Sequence, residues 1–600
     1  MDRKGWIVII ACVVLAGLNL HYTSLNQKAA QAEAERVQAE KAKKTAETAP
    51  KPPEATTVTA TAAATPAKSA TPEIPEEKHA LKVGSVTFEL TSKGGGIARA
   101  MLAGTDQVTL NQNALEPIGA LRREPAGLDA IAYKLTAKSE KSATFEGTNT
   151  EGIVVTKTYT LTEGNESDAH LIDLTITLKN TGTAQHRSEE YYLYAGASSA
   201  LKHDDARYEG FFWNDAGDAD FYQADYFAKG WFSDAKTEFR QSYGALRYAG
   251  VMGRFYTHIL TRVSAKDAPG KFWASQRKLA QPIDAAHAGK TDIQDHAIDA
   301  ALGLPVVDLA PGASQSETYQ IYLGPKEYDR LSKIGKQRSF AMFYGWFKPI
   351  SIFMSWVMRW MHDFTGSWGL AVILLTIFVR TLIWPIHAKS TYTMKRMGLL
   401  APMMKELQEK YKDNPQQQQM EVMKLYREYG VNPLGGCLPL FLQIPIFFGL
   451  YRVLEYAAEL RGQSFLWVKD LAAADTVTQF MGFDINPLPL IMGVTMIAQM
   501  KLTPQPASVD KMQQRIMMLM PFFFLFICYN FAAALALYWS TQNIFSIAQT
   551  WVMKLYMPEP KLEKVAQKPV PKGPPPQNPF FNPMGHKEKK KGPKPPKLGG

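Results

Sequence analysis

The chain has 600 residues, 46% hydrophobic and 20% charged, with 67 Lys+Arg against 56 Asp+Glu and a net charge of +11. Those averages resemble a slightly basic soluble protein, yet charge and hydrophobicity are segregated along the chain, which excludes one uniform globule and a wholly disordered polypeptide. Three cysteines, Cys12, Cys437 and Cys528, lie in apolar runs without Cys-x-x-Cys spacing; they exclude a disulfide scaffold and read as small buried hydrophobes.

Met1-Asp2-Arg3-Lys4 precedes an apolar run from Trp6 to Leu20, with no small-x-small cleavage site close behind it. Residues 1–22 therefore read as an uncleaved signal anchor, the alternative being a cleaved signal, and Arg3 and Lys4 hold the terminus in the cytoplasm. Residues 23–80 are rich in Ala, Glu, Lys, Thr and Pro. They bury too little to offset chain entropy and read as a flexible tether.

Residues 81–325 change to period two. Ile172, Leu174, Ile176 and Leu178 alternate with Asp173, Thr175 and Thr177, and Asn180-Thr181-Gly182 supplies turn chemistry. Ile153 to Thr162 and Thr318 to Leu323 read as further strands. The expectation is a large antiparallel β-sandwich. Gly94-Gly95-Gly96 lacks the Gly-Lys-Ser/Thr ending of a phosphate loop and reads as a turn or bulge. No HExxH, GxSxG or paired-cysteine metal motif occurs, and the eleven histidines are scattered; no cofactor, metal or enzymatic role is assigned.

Residues 340–365 place Trp346, Ile350, Phe353, Val357, Trp360 and Phe364 on one helical face, and Lys348, Ser351, Ser355, Arg359 and His362 on the other. This is the pattern of an interfacial amphipathic helix. Residues 366–553 carry apolar runs at Trp368–Ile386, Leu438–Tyr456, Leu488–Leu502, Met517–Phe531 and Leu535–Val552. With the N-terminal anchor they predict an α-helical polytopic membrane protein of six transmembrane helices, five of them forming a core. Loop charges agree with one topology: the β domain outside, residues 390–430 inside with many Lys and Arg, an acidic outer loop from Ala457 to Asn486, and a basic inside tail. Ser390 to Tyr429 reads as a cytoplasmic helical hairpin broken at Asn414-Pro415. Its apolar stripe is Met394, Met397, Leu400, Met404, Leu407 and Tyr411, resumed by Met420, Met423 and Tyr426. Residues 554–600 form a Pro-rich basic tail, suited to positive-inside anchoring or to anionic lipid or ribosomal RNA.

Arg380 interrupts the first of the five core spans, where an arginine near a helix centre costs about 2.5–3.5 kcal/mol on insertion scales. Snorkelling to the inner surface is the bland alternative. Thr376 lies one turn before it, and Gln443, Gln499 and Ser540-Thr541-Gln542-Asn543 are further polar groups that lipid would penalise. No intramembrane carboxylate stands out as a partner for Arg380, which points to a charge brought by a substrate in a wet cavity.

Asn432-Pro433-Leu434-Gly435-Gly436-Cys437-Leu438-Pro439, followed by Gln443-Ile444-Pro445-Ile446-Phe447, leads into a span. With Thr376-Ile377-Phe378-Val379-Arg380 and Leu537-Tyr538-Trp539, it closely resembles the YidC family of membrane-protein insertases. The resemblance covers nearly the whole chain. It implies a non-enzymatic insertase and chaperone in the bacterial inner membrane, with both termini cytoplasmic and a periplasmic β domain. It implies a hydrophilic groove, open to cytoplasm and lipid, containing Arg380, Thr376, Gln443, Tyr538 and Trp539. It also implies an apolar slide for client helices, to which Leu438, Pro439, Ile444, Pro445, Phe447 and Phe448 belong. The partners implied are nascent membrane proteins, lipid, the ribosome through the tail and cytoplasmic loops, and a Sec-type translocon. A secondary transporter or channel is the competing class, against which stand the lack of an obvious inverted repeat and of coupling carboxylates. A scaffold acting through its β domain is the third.

Overall fold

The alternation in Leu171–Asn180 puts Ile172, Leu174, Ile176 and Leu178 on one buried face, as a strand packed on one side requires. The same logic builds a nine-stranded sheet in the order Asp218–Gln223, Gly210–Asp215, Leu246–Met252, Tyr256–Arg262, Ser314–Pro325, Leu171–Asn180, Ile153–Leu161, Ser142–Thr148 and Tyr133–Lys138. A five-stranded sheet runs Glu238–Tyr243, Gly270–Lys278, His296–Gly303, Tyr192–Ser199 and Leu121–Arg122. Every pairing within them is antiparallel. Phe145, Tyr159 and Ile172 of the first sheet share one core with Leu193, Phe272 and Ile298 of the second. The expected sandwich is thus present, extended by a four-stranded sheet from Lys78 to Leu110.

The computed structural model describes residues 75–564, except 105–106, 163–167, 188–190, 202–203, 205, 230–233, 265–267, 282–294, 336–337, 343, 433–434, 436–437, 482 and 503–510. The expected N-terminal anchor, nearly all of the tether and most of the basic tail lie outside the described residues. Gly94 and Gly95, both at positive φ, do form the turn read from sequence, before the strand Gly96–Leu102. A Cβ on Gly95 would sit 2.8 Å from the Tyr133 ring. Asn180 Oδ1 accepts from Gly182 N at 2.9 Å, the side-chain turn that Asn favours.

Ten α-helices follow among the described residues: α1 Tyr328–Lys333, α2 Lys348–Thr365, α3 Trp368–Leu382, α4 Trp384–Leu399, α5 Ala401–Lys410, α6 Pro415–Glu428, α7 Leu438–Tyr456, α8 Pro487–Leu502, α9 Lys511–Cys528 and α10 Ala533–Tyr556. The described residues fall into two compact units, divided at 388/389, 436/437, 504/505, 509/510 and 557/558.

In the larger unit, α2 is two-faced as expected, although Val357, read on the aromatic face, is buried. Ser351, Met354, Ser355 and Met358 are its buried face, while Phe353, Trp356, Trp360 and Phe364 are exposed. The small side chains allow close approach: Ser351 Oγ donates to Gly449 O at 2.9 Å, and a Cβ on Gly449 would meet Ile350 at 2.8 Å. The aromatic stripe faces outward, as an interfacial helix in lipid would have it. The β domain meets the end of α7 through polar contacts. Tyr208 Oη donates to Glu455 Oε1 at 2.9 Å, Arg254 Nε donates to Glu455 O at 2.9 Å, and Arg461 pairs with Asp204 at 2.7 Å.

The expected span Trp368–Ile386 is two helices, α3 and α4, bent by 58° at Ile383. Pro385 cannot donate a backbone hydrogen bond and is tolerated only in the first turn of a new helix. Among the described residues no single helix is both long and apolar enough to cross a membrane, although this bent pair meets that measure together. At 24 residues α10 has the length, but Ser540, Thr541, Gln542, Asn543, Ser546 and Gln549 lower its hydropathy. At 16 residues, α8 rises only about 24 Å. The six-span count therefore does not follow from helix length and hydropathy.

In the smaller unit the segment expected as a two-helix hairpin is three helical pieces. α4 stops at Leu399, and α5 restarts with Pro402 in its first turn. Met397, Leu400, Met404, Tyr426, Tyr429 and Val431 form its core, with Val422 and Leu425 packed against it. Met420 and Met423, expected in the stripe, are exposed. The packed face of α6 follows residues 422, 425, 426 and 429, which share one side at 100° per residue; 420 and 423 lie on the other side.

Candidate functional site

Three helices of the larger unit bring the expected polar groups together. α3 supplies Thr376 and Arg380, both buried. Thr376 Oγ1 donates to Val372 O at 2.7 Å, so its hydroxyl is satisfied within its own helix. Arg380 is 7% exposed, and its Nε has no hydrogen-bond partner among the described residues. No carboxylate forms an ion pair with it among those residues; its electrostatic neighbours are Tyr538 and His387.

Gln443, on α7, reaches the same place. Its Nε2 donates to Tyr538 Oη at 3.5 Å and to Gln542 Oε1 at 3.3 Å, both on α10. Tyr538 is 2% exposed. A guanidinium, a phenol and two carboxamides are thus brought together from three helices. Such a set is rich in donors, and it holds a buried positive charge without a counter-charge among the described residues. Physically it suits a transient acidic or polar guest better than a permanent structural role.

Trp539, next to Tyr538, turns to another neighbourhood. Its ring lies 5.1 Å from Phe447 on α7 and 5.3 Å from Phe524 on α9. The sequence reading grouped it with the polar residues; the structure places it in an aromatic row that continues through Phe448 to Phe347. Of the expected slide residues, Ile444 and Phe448 are exposed, Pro445 and Phe447 are half-buried, and Pro445 lies inside α7. Leu438 and Pro439 open α7, and their side chains lie outside the described residues. α9 adds exposed Met518, Leu519, Phe522, Phe523 and Phe526. The first residues of α10 are pinned by the segment that precedes α8: Ala533 N donates to Ala473 O and Ala534 N to Leu471 O.

A second polar row on α10 extends beyond the sequence reading. Ser540, Asn543, Ser546 and Gln549 recur every three residues and are all buried. Asn543 Nδ2 donates to Thr495 Oγ1 on α8 at 3.1 Å. Ser540 Oγ, Ser546 Oγ and both amide atoms of Gln549 have no partner among the described residues. The three-residue spacing was the available signal for Ser546 and Gln549, which lie beyond the polar run Ser540–Asn543. A cavity of about 390 Å³ lies elsewhere, in the β domain. It is lined by Asn111, Ser198, Glu209, Arg254 and His258, and shares no residue with the Arg380 constellation.

Two family models match this chain: the 60Kd inner membrane protein over residues 360–560 and the YidC periplasmic domain over residues 124–357. Among curated relatives, the membrane protein insertase YidC of Syntrophobacter fumaroxidans is 44% identical over 247 residues, covering 40% of this chain and 44% of that protein. That of Geobacter sulfurreducens is 31% identical over 489 residues, covering 78% of this chain and 84% of that protein. The chain spans less than half the length of the first four relatives it matches, 44–47% of each. A solved structure described as an active YidC insertase aligns with 16% identity and a TM-score of 0.33, covering 79% of this chain and 94% of that chain.

Proposed function

The chain belongs to the YidC family of membrane protein insertases, and from that premise we propose that it receives nascent membrane proteins and promotes their insertion, folding and assembly in the bacterial inner membrane. Five core helices and the N-terminal anchor cross the bilayer, both termini are cytoplasmic, and the β domain is periplasmic. The short and bent helices sit among partners or in a locally adjusted bilayer.

One observation carries the reading. Arg380 is buried with Tyr538 as its electrostatic neighbour, Tyr538 is in turn bonded by Gln443, which also reaches Gln542, and Arg380 has no ion-pair partner among the described residues. The groove offers a short polar client segment the hydrogen bonds that lipid denies it. Acidic client residues are attracted most, and a membrane potential positive outside favours their outward movement by about 2.3 kcal/mol per charge per 100 mV. The exposed apolar faces of α7 and α9 form the slide along which the client helix leaves for lipid. The cytoplasmic hairpin and basic tail receive the ribosome-bound chain, and a Sec-type translocon is a further partner.

The test is site-specific photocrosslinking to a ribosome-stalled nascent membrane protein, with probes at Thr376, Tyr538 and a lipid-facing control at Ile544. Crosslinks at the first two positions and not at Ile544 are expected. Their absence for several clients, in membranes where insertion proceeds, would overturn the groove.

A further inference from the structure

The connection between α7 and α8 contains a two-stranded hairpin, Thr478–Phe480 paired with Phe483–Ile485. Its register is Thr478↔Ile485, Gln479↔Asp484 and Phe480↔Phe483. Side chains alternate between faces along a strand, so Phe480 and Phe483 share a face with Ile485. Gln479 and Asp484 take the other, where Gln479 Nε2 donates to Asp484 Oδ1 at 2.7 Å. Phe480, Met481 and Phe483 are 66%, 83% and 75% exposed. The sequence from Thr476 to Phe483 contains no charged residue.

A hairpin this short is marginal alone in water, and each large apolar side chain left exposed forgoes the gain of burial. Yet the base is firmly held. Thr476 Oγ1 donates to Asn486 Oδ1 at 2.7 Å, Tyr529 Oη donates to Asp484 O at 2.6 Å, and Asn486 Nδ2 donates to Tyr529 O at 2.9 Å. Tyr529 directly follows α9, whose last turns expose Phe522, Phe523, Phe526 and Ile527. Apolar exposure therefore runs from the side of α9, past a tyrosine hydrogen-bonded to the hairpin, to the hairpin tip. An amphipathic hairpin with an uncharged tip, continuous with a lipid-exposed helix face, has the character of an interfacial anchor.

We propose that Phe480, Met481 and Phe483 are seated in the outer leaflet of the bilayer, fixing the outer ends of α8 and α9 at the lipid surface. This rests on the proposed placement of α8 and α9 in the membrane. The occupant of the apolar tip is lipid, because the exposed faces that lead to it are those the bilayer covers.

The full chain, with its three cysteines replaced by alanine and one environment-sensitive fluorophore at Met481→Cys, is reconstituted in vesicles. The vesicles contain phospholipids brominated at shallow or deep acyl positions. Parallel samples carry the fluorophore at Phe526→Cys or at Asp218→Cys on the β domain. At Met481 we expect at least twofold quenching by the shallow bromines, less by the deep ones and little by aqueous iodide; Asp218 shows the reverse. Full access of iodide to Met481 with no quenching by brominated lipid overturns the proposal. If Phe526 is quenched by lipid while Met481 is not, the hairpin inference fails and the membrane placement stands. If neither is quenched, the placement itself fails. Shielding of Met481 from iodide only when a ribosome-stalled client is added also overturns it, since the occupant is then a client and not lipid.

Discussion

The β domain and the helical region both bury cations, and they treat them differently. In the β domain, Lys157 is paired with Asp129 at 3.3 Å, both side chains fully buried, and donates to Gly94 O at 2.8 Å. Arg277 pairs with Asp299 at 3.0 Å; Arg122 is the exception, buried with no ion pair among the described residues, donating to Pro125 O at 3.0 Å and stacking 3.9 Å from the Tyr194 ring. In the helical region, Arg380 has a phenol and amides nearby and no ion pair among the described residues. A buried charge with a built-in partner holds a structure in register, whereas one without a counter-charge leaves a place for a guest.

The sharpest way to break this contrast is to remove one partner in the β domain. Lys157→Met leaves Asp129 buried without its cation. Breaking a buried pair from one side costs about 3–5 kcal/mol. At roughly 2–4 °C per kcal/mol for a domain of this size, the near-UV circular dichroism melt should fall by about 10 °C. Lys157→Met combined with Asp129→Asn should recover part of that loss. A melt unchanged in the single variant would show that the pair contributes nothing.

His258 tests the same domain through pH. Burial pulls its imidazole down to about 4. The unfolded chain takes up a proton below about 6.5, while the folded chain resists until about 4. The stability due to the neutral ring is thus complete above pH 6.5 and is lost as pH falls from 6.5 to 4, by roughly 3 kcal/mol in all. His258→Gln should flatten the melting-temperature profile over that interval. An equally steep acid slope in the variant would assign the slope to other groups.

Arg380 should behave in the opposite way to Lys157. Arg380→Ala is expected to leave the melt within about 1 kcal/mol of the parent, since a charge without an ion pair stabilises little. Insertion of clients with acidic tails should drop about tenfold, the equivalent of about 1.4 kcal/mol. Arg380→Lys should retain most of it. Unimpaired insertion of acidic-tailed clients by the alanine variant would show that the arginine is not the attractor.

What was legible in the sequence follows the range of the interactions. Strand alternation around Ile172–Leu178 and the turn at Asn180 are local, and they appear as read. Arg380, Gln443 and Tyr538 were legible because a polar group in an apolar run is conspicuous wherever its partner lies. Orientation was less so. The two-faced pattern of α2 was legible, but not that Ser351 and Ser355 on its polar face would pack inward, where small groups let the helix approach Gly449. Trp539 adjoins Tyr538 in sequence, yet its ring meets Phe447 and Phe524, because successive residues on a helix point about 100° apart. The contact of Arg254 and Tyr208 with Glu455 joins residues more than 200 positions apart, and no local pattern announces it.

The smallest effects expected are those at Met420 and Met423 on α6, where a stripe of Met420, Met423 and Tyr426 was legible and only Tyr426 is buried. Its hydroxyl approaches Met404 Sδ at 3.2 Å, so Tyr426→Ala removes a large ring from a small core and should cost about 3 kcal/mol or more within that unit. Met420→Gln and Met423→Gln remove exposed thioethers and should change stability by less than about 0.5 kcal/mol. Hydrogen exchange of α5 and α6 amides in the full chain reads both, because local opening is reported segment by segment. Faster exchange in the Tyr426 variant alone matches the packed face at 422, 425, 426 and 429. Comparable acceleration in the methionine variants would mean that the stripe read from sequence, and not the observed face, holds the hairpin together.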